Sequence, residues 1–180
     1  MPNYLRLRVH GATIFFTVAL AERGSDLLVR EIDRLREAVQ ATRAVRPFAI
    51  DAWVVLPDHL HCVWTLPDGD ADFSTRWGAI KGRFSRSVRE AGFECRAGFT
   101  PPRLWSGRNG GVNPALRTAK GEAGVWQRRF WEHHIRGPAD FADHVRYCWD
   151  NPVKHGLAER PEGWPYSSVH RDIRLGRYAP

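Results

Sequence analysis

Two β-rich runs separated by a two-residue turn constrain this chain more than any other feature of its sequence. Phe48–Leu56 and His59–Leu66 are dominated by β-branched, aromatic and other apolar residues, and only Pro57 and Asp58 lie between them. Proline presets the turn dihedral and aspartate tolerates the bend, so the two runs pair as a tight antiparallel hairpin. Thr13–Leu20 reads as another strand on the same composition. Ser25 or Asp26 can cap a helix running to about Ala44, with Leu27, Leu28, Ile32, Leu35 and Val39 as its apolar side. Ser74–Glu90 reads as a second helix: Trp77, Ile80, Phe84 and Val88 share one stripe, while Arg76, Arg83, Arg86 and Arg89 lie off it.

Trp126–Ile135 offers a fourth strand. Pro138 opens a third helix that is expected to end near Asn151, because the following Pro152 biases that residue away from helical dihedrals. The order is β-α-β-β-α-β followed by a helix. It predicts an α+β fold, an antiparallel sheet of ferredoxin/RRM-like topology with helices packed on one face and an added C-terminal helix. A single domain over residues 1–180 accommodates all of this. Within it, Gly92–Gly124 holds seven glycines and three prolines without periodicity, and is expected to be a glycine-rich insertion or mobile loop.

The charge balance narrows the partner. Lys and Arg total 27 against 20 Asp and Glu, a net charge of +7, and only Lys81, Lys120 and Lys154 of the basic residues are lysines. Residues 1–66 carry a net +1 and residues 92–180 a net +5, so the surplus sits in the second half. Arginine's planar fork suits phosphate, which makes nucleic acid the expected partner. No apolar run is long enough to span a bilayer, and the first residues have no apolar stretch of the kind a signal peptide carries. Cys62, Cys95 and Cys148 are odd in number and lack CxxC spacing. The expectation is a soluble, cytoplasmic protein with no membrane partner, a monomer in the simplest reading.

Two groups of residues could carry chemistry. On a strand, His59 and His61 project from the same face while Leu60 and Cys62 point away, and two imidazoles side by side suit a divalent metal. On the third helix, Phe141, Val145 and Cys148 form an apolar stripe, and Asp140, His144, Tyr147 and Asn151 form a separate polar one. Tyr147 and Asn151 stand one turn apart and can reach a shared point. Glu132, His133 and His144 read as hydrogen-bonding supports, and Cys62 and Cys148 as packed thiols.

Five motifs occur in a fixed order: Gly11-Ala-Thr-Ile-Phe-Phe-Thr-Val18; Trp53-Val-Val-Leu-Pro-Asp-His-Leu-His61; Trp126-Gln-Arg-Arg-Phe-Trp-Glu-His133 with Ile135-Arg136; Tyr147-x-x-x-Asn-Pro-Val-Lys-His-Gly156; and Trp164-Pro-x-Ser-Ser168 with His170-Arg-Asp172. Together they resemble the single-tyrosine transposases related to insertion sequences, in the REP-associated tyrosine transposase branch. The resemblance spans residues 4–90 and 125–178. It implies an HUH endonuclease whose triplet is His59-Leu60-His61. The implied metal, Mg²⁺ or Mn²⁺, is held by His59, His61 and Asn151, and it polarises the scissile phosphate of single-stranded DNA bearing palindromic hairpin repeats. By position in the motif the nucleophile is Tyr147, which would leave a 5′-phosphotyrosine and a free 3′-hydroxyl. A phenol titrates near ~10 and attacks poorly unless a metal or base assists it. The covalent intermediate conserves the phosphodiester energy, so strands can be rejoined without ATP.

A different class of function competes. An RRM-like sheet could bind single-stranded nucleic acid without cutting it, using Phe15, Phe16, Trp53 and Trp64 as stacking surfaces. Such a platform has no need of paired histidines and a helix tyrosine. A two-histidine phosphoesterase would need two H-x-[ST] motifs, which the chain lacks.

Overall fold

The structure is a computed structural model and describes residues 7–92 and 124–178. Nearly all of the glycine-rich segment expected as an insertion or mobile loop lies outside the described residues. Strands β1 (Thr13–Ala19), β2 (Ala49–Val55), β3 (His59–Thr65) and β4 (Trp131–His134) form one sheet in the order β2-β3-β1-β4. Every pairing is antiparallel. This is the α+β, ferredoxin-like arrangement expected from the order of elements.

The hairpin forms where the sequence places it, with His61 opposite Val54 and Leu60 opposite Val55. The β2–β3 register slips between Ile50 and Ala52, leaving Asp51 as a bulge whose carboxylate accepts from the Thr65 hydroxyl at 2.7 Å. Alternation then sorts the side chains. Ile14, Phe16, Val18, Leu60, Cys62 and Trp64 face one side of the sheet, and Phe15, Val63, His59 and His61 face the other.

Helices α2 (Ile32–Val45) and α3 (Phe73–Glu90) cover the first side, with the short α1 (Leu27–Arg30) preceding α2. The single helix expected from Ser25 to Ala44 is therefore two pieces, interrupted at Glu31. Trp77 and Trp64 stack at 4.4 Å in the middle of this core, and both are fully buried. Helix α4 (Pro138–Lys154) packs on the opposite side through Val145 and Cys148, against Phe15, Ala52, Val54 and Val63. The expectation that helices occupy one face is thus corrected. The alternate residues of β1, β2 and β3 are apolar on both faces, and each face needs a cover.

Three local expectations also change. β4 is shorter than Trp126–Ile135 because the Gln127 carbonyl accepts from the Lys81 ammonium at 2.9 Å instead of joining a strand ladder, with that ammonium over the Trp126 and Phe130 rings. Trp126 itself joins the sheet through an isolated bridge to Leu20 and packs against Phe84. α4 does not stop before Pro152: it runs to Lys154, so Asn151 is helical. The His155 amide donates to Asn151 and the Leu157 amide to Pro152, and Gly156 at φ 66° closes the helix in the left-handed conformation that glycine adopts without strain. Arg76, expected on the exposed side of α3, is buried beneath it. Its guanidinium donates to the carbonyls of Arg46, Pro47 and Asp72 and to the Asp70 carboxylate.

The closing motif seals the free edge of β2. The Ser168 amide donates to Trp53 at 2.7 Å, the Val55 amide to Tyr166 at 2.9 Å, and the Trp164 indole to the Val55 carbonyl at 2.8 Å. Arg171, on α5 (Val169–Arg174), donates to the Ile50 and Asp51 carbonyls at the bulge. An otherwise open strand edge is satisfied by this segment. Among the described residues no helix is long and apolar enough to cross a membrane.

Candidate active site

The side of the sheet covered by α4 carries the polar residues. His59 and His61 project from β3, their ring centroids 5.1 Å apart. Tyr147 comes down from α4 to within 5.1 Å of the His61 ring, edge to face, and remains 38% exposed. Asn151, one turn further along α4, is buried to 1% exposure. His59, His61 and Tyr147 therefore stand together, two from a strand and one from a helix, and Asn151 lies one turn along α4 from Tyr147.

Each imidazole is held through Nδ1. His59 Nδ1 lies 2.6 Å from Asp58 Oδ1, and His61 Nδ1 lies 2.9 Å from the Thr17 hydroxyl of β1. Asp58 is anchored in turn by the Gly24 amide at 2.9 Å and by the Arg23 guanidinium at 3.2 Å. Burial alone pushes the Asp58 carboxyl up, but the hydrogen bonds from His59 and Gly24 and the nearby positive charges outweigh it, and the group titrates below its usual value. An ionised carboxylate there fixes the proton of His59 on Nδ1 and turns the Nε2 lone pair outward. This is the arrangement that a metal-ligating histidine needs. His61 is driven well below the usual imidazole range by burial, reinforced by His59, His155 and Lys154. It is neutral at physiological pH, which is the ligand form.

Asn151 Oδ1 is buried and has no hydrogen-bond partner. A buried amide oxygen left without a partner is costly, and a cation is one group that satisfies it. Two imidazole nitrogens and one carbonyl oxygen form a donor set suited to a divalent ion such as Mn²⁺ or Mg²⁺, so the residues present fit the metal that the motif implies. The nearby Asn151 side chain favours the ionised form of the Tyr147 phenol. Burial nonetheless dominates and raises the phenol above its ordinary value. The protein alone does not activate this hydroxyl.

Several residues beside the site carry no role in the sequence reading. His155 packs against His59 with ring centroids 5.2 Å apart, and burial lowers its pKa. The Lys154 ammonium stands 4.6 Å from the centre of the Tyr147 ring. Phe15 lies nearly parallel to the His61 ring at 5.6 Å. Asp58, His155 and Lys154 sit inside the quoted motifs and could have been flagged there. Thr17 has no signal beyond its place in a strand.

Of the supports expected further along, His133 and His144 both contact Asp140. His133 Nε2 lies 2.9 Å from Asp140 Oδ2, and His144 Nδ1 lies 2.8 Å from the Asp140 carbonyl oxygen and 2.9 Å from its Oδ1. Cys62 and Cys148 are free, fully buried thiols, and burial raises both far out of reach of ionisation. The aromatic residues that a binding platform would expose are mostly inside: Phe16 and Trp64 lie under α2 and α3, Phe15 lies under α4, and Trp53 is partly buried against Trp64 and Trp77. These four form core or pack against it.

No family model matches the chain. It is 41% identical over 178 residues to the REP-associated tyrosine transposase of Escherichia coli K12, which spans 99% of this chain and 88% of that protein. It is 38% identical to a putative REP-associated tyrosine transposase of Haemophilus influenzae over 99% of this chain and 91% of that protein. Among solved structures it resembles a REP-associated tyrosine transposase bound to a REP hairpin, with a TM-score of 0.78 and 40% identity, covering 99% of this chain and 89% of that one. At 41% identity over 99% of its length, the chain belongs to the REP-associated tyrosine transposases, enzymes that cleave and join DNA.

Proposed function

We propose that this enzyme recognises single-stranded DNA carrying palindromic hairpin repeats and cleaves it with Tyr147 as nucleophile, supported by a divalent ion at His59, His61 and Asn151. The observation that carries this reading is an accessible phenol against two histidines anchored through Nδ1, with a buried, unpartnered Asn151 Oδ1 one turn along the same helix. A relative of the same family is bound to a REP hairpin, and the net charge of +7 suits a phosphate backbone.

When bound, the ion supplies Lewis-acid polarisation of the scissile phosphate and offsets its charge. The chain does the rest. Asp58 and Thr17 orient the two imidazoles, and the Asn151 side chain and the Lys154 ammonium over the Tyr147 ring favour negative charge developing on the attacking oxygen. Attack by the phenol oxygen on phosphorus breaks the bond to the 3′-oxygen. The DNA 5′-phosphate remains on Tyr147 and a 3′-hydroxyl is released, and the reverse attack by a 3′-hydroxyl rejoins a strand.

The direct test is a nicking assay on a labelled hairpin substrate. His61→Ala should lose cleavage in Mg²⁺ while retaining hairpin affinity within about threefold, because its ring contributes to chemistry more than to phosphate binding. Undiminished cleavage by that variant would refute the metal assignment.

A further inference from the structure

Outside this site, one group of side chains converges with the geometry of a metal site. His133 on β4 and Asp140 and His144 on the first two turns of α4 offer one ligand atom each, all within 4.8 Å of one another. The individual separations are closer. His133 Nε2 lies 2.9 and 3.1 Å from the two Asp140 carboxylate oxygens, and His144 Nδ1 lies 2.9 Å from Oδ1. Ligands about 2.1 Å from a common ion are about 3.0 Å apart at right angles and about 3.4 Å apart in a tetrahedron. The separations from each imidazole to Asp140 are therefore those of edges of a coordination polyhedron.

The rings are held in place. His133 and His144 stack at 4.6 Å with their planes 14° apart, and the Arg136 amide donates to Asp140 Oδ2 at 2.8 Å. All three side chains are 22–26% exposed, which leaves an entry path and room for water ligands.

We propose that His133, Asp140 and His144 form a second divalent-cation site that takes a borderline transition ion of the Zn²⁺ class. Two imidazoles and one carboxylate are the donor set such ions prefer over Mg²⁺. Binding requires the proton of His133 on Nδ1 and that of His144 on Nε2, so the His144 Nδ1 contact with the Asp140 carbonyl oxygen at 2.8 Å gives way to the ion. The site is separate from the one at His59 and His61, because the Phe15 ring stands between them, 5.6 Å from the His61 ring and 4.8 Å from the His144 ring. The two sites cannot share an ion or form a paired-metal centre, whose ions would lie about 4 Å apart. An ion here ties the edge strand β4 to the start of α4, and Tyr147 follows His144 by one turn. It would therefore fix the orientation of the helix that carries the nucleophile.

The test counts Zn²⁺ per chain by equilibrium dialysis and follows the thermal midpoint, in a His59→Ala/His61→Ala background that removes the first site. That background should hold one Zn²⁺ and gain roughly 5 °C at saturating metal. Adding His133→Ala and His144→Ala should abolish both effects. Asp140→Asn, which preserves shape, should weaken the affinity at least tenfold in the same background. No Zn²⁺ in the background, or equal Zn²⁺ after removal of the second pair, would overturn the proposal. Because His59 and His61 are absent throughout, neither outcome depends on the first site holding metal.

Discussion

The rings of His61 and Tyr147 meet edge to face, centroids 5.1 Å apart and planes at 82°. One comes from a strand paired on both sides, the other from a helix laid across that strand. The phenol therefore sits over the imidazoles, where a phosphate held by an ion at His59 and His61 would be in reach of attack.

Asn151 should behave unlike an ordinary buried amide. Its Oδ1 has no partner, so Asn151→Leu should leave the unfolding free energy of the metal-free protein unchanged or raise it by up to about 1 kcal/mol. Cleavage should fall by about a hundredfold or more, a barrier increase of ~2.7 kcal/mol. Urea unfolding and the nicking rate measure the two effects. A loss of stability above about 2 kcal/mol would show that the amide serves the fold.

Asp58 should act on the metal through His59. Asp58→Asn keeps the shape of the turn but no longer enforces the proton on His59 Nδ1, so Mn²⁺ affinity should drop about 10- to 100-fold. Calorimetric titration gives the constant directly, and an unchanged affinity would remove Asp58 from the account.

Arg76 belongs to stability. Arg76→Met leaves the carbonyls of Arg46, Pro47 and Asp72 without their donor and should cost about 3 kcal/mol. Its partner gives the pH dependence. The hydrogen bond from Arg76 holds the Asp70 carboxyl below its ordinary value, so Asp70 contributes stability at neutral pH. That contribution is lost as pH falls from the usual carboxylate range through the lowered folded-state value. Asp70→Asn should flatten this part of the curve of urea midpoint against pH between 7 and 3, and an unaltered slope would contradict the assignment.

These residues show what was legible in the sequence. Alternation placed His59 and His61 on one face, and helical periodicity placed Tyr147 and Asn151 on one stripe, because both periods are local properties of the backbone. The side of the sheet on which α4 lies is not local. It follows from apolar residues on both faces of β1, β2 and β3, and assigning it takes the whole sheet. Arg76 looked solvated for the same reason: its partners, Arg46 and Pro47, are 30 and 29 residues away. Pro152 suggested a helix end, but the turn after it keeps its hydrogen bonds through His155 and Leu157. The convergence of His133 with Asp140 and His144 depends on the angle between β4 and α4, which no spacing encodes.

The central claim is that Tyr147 is the nucleophile, and trapping the covalent adduct tests it most directly. Wild type and each single Tyr→Phe variant are incubated with end-labelled single-stranded hairpin DNA and Mn²⁺, denatured, and resolved by gel. Tyr147→Phe should fold and bind the hairpin as wild type does, since only one half-exposed oxygen is removed, yet give no labelled protein band. Tyr166→Phe, whose ring packs against Trp164, should give the band. A labelled band that persists in Tyr147→Phe and disappears in Tyr166→Phe would contradict the account.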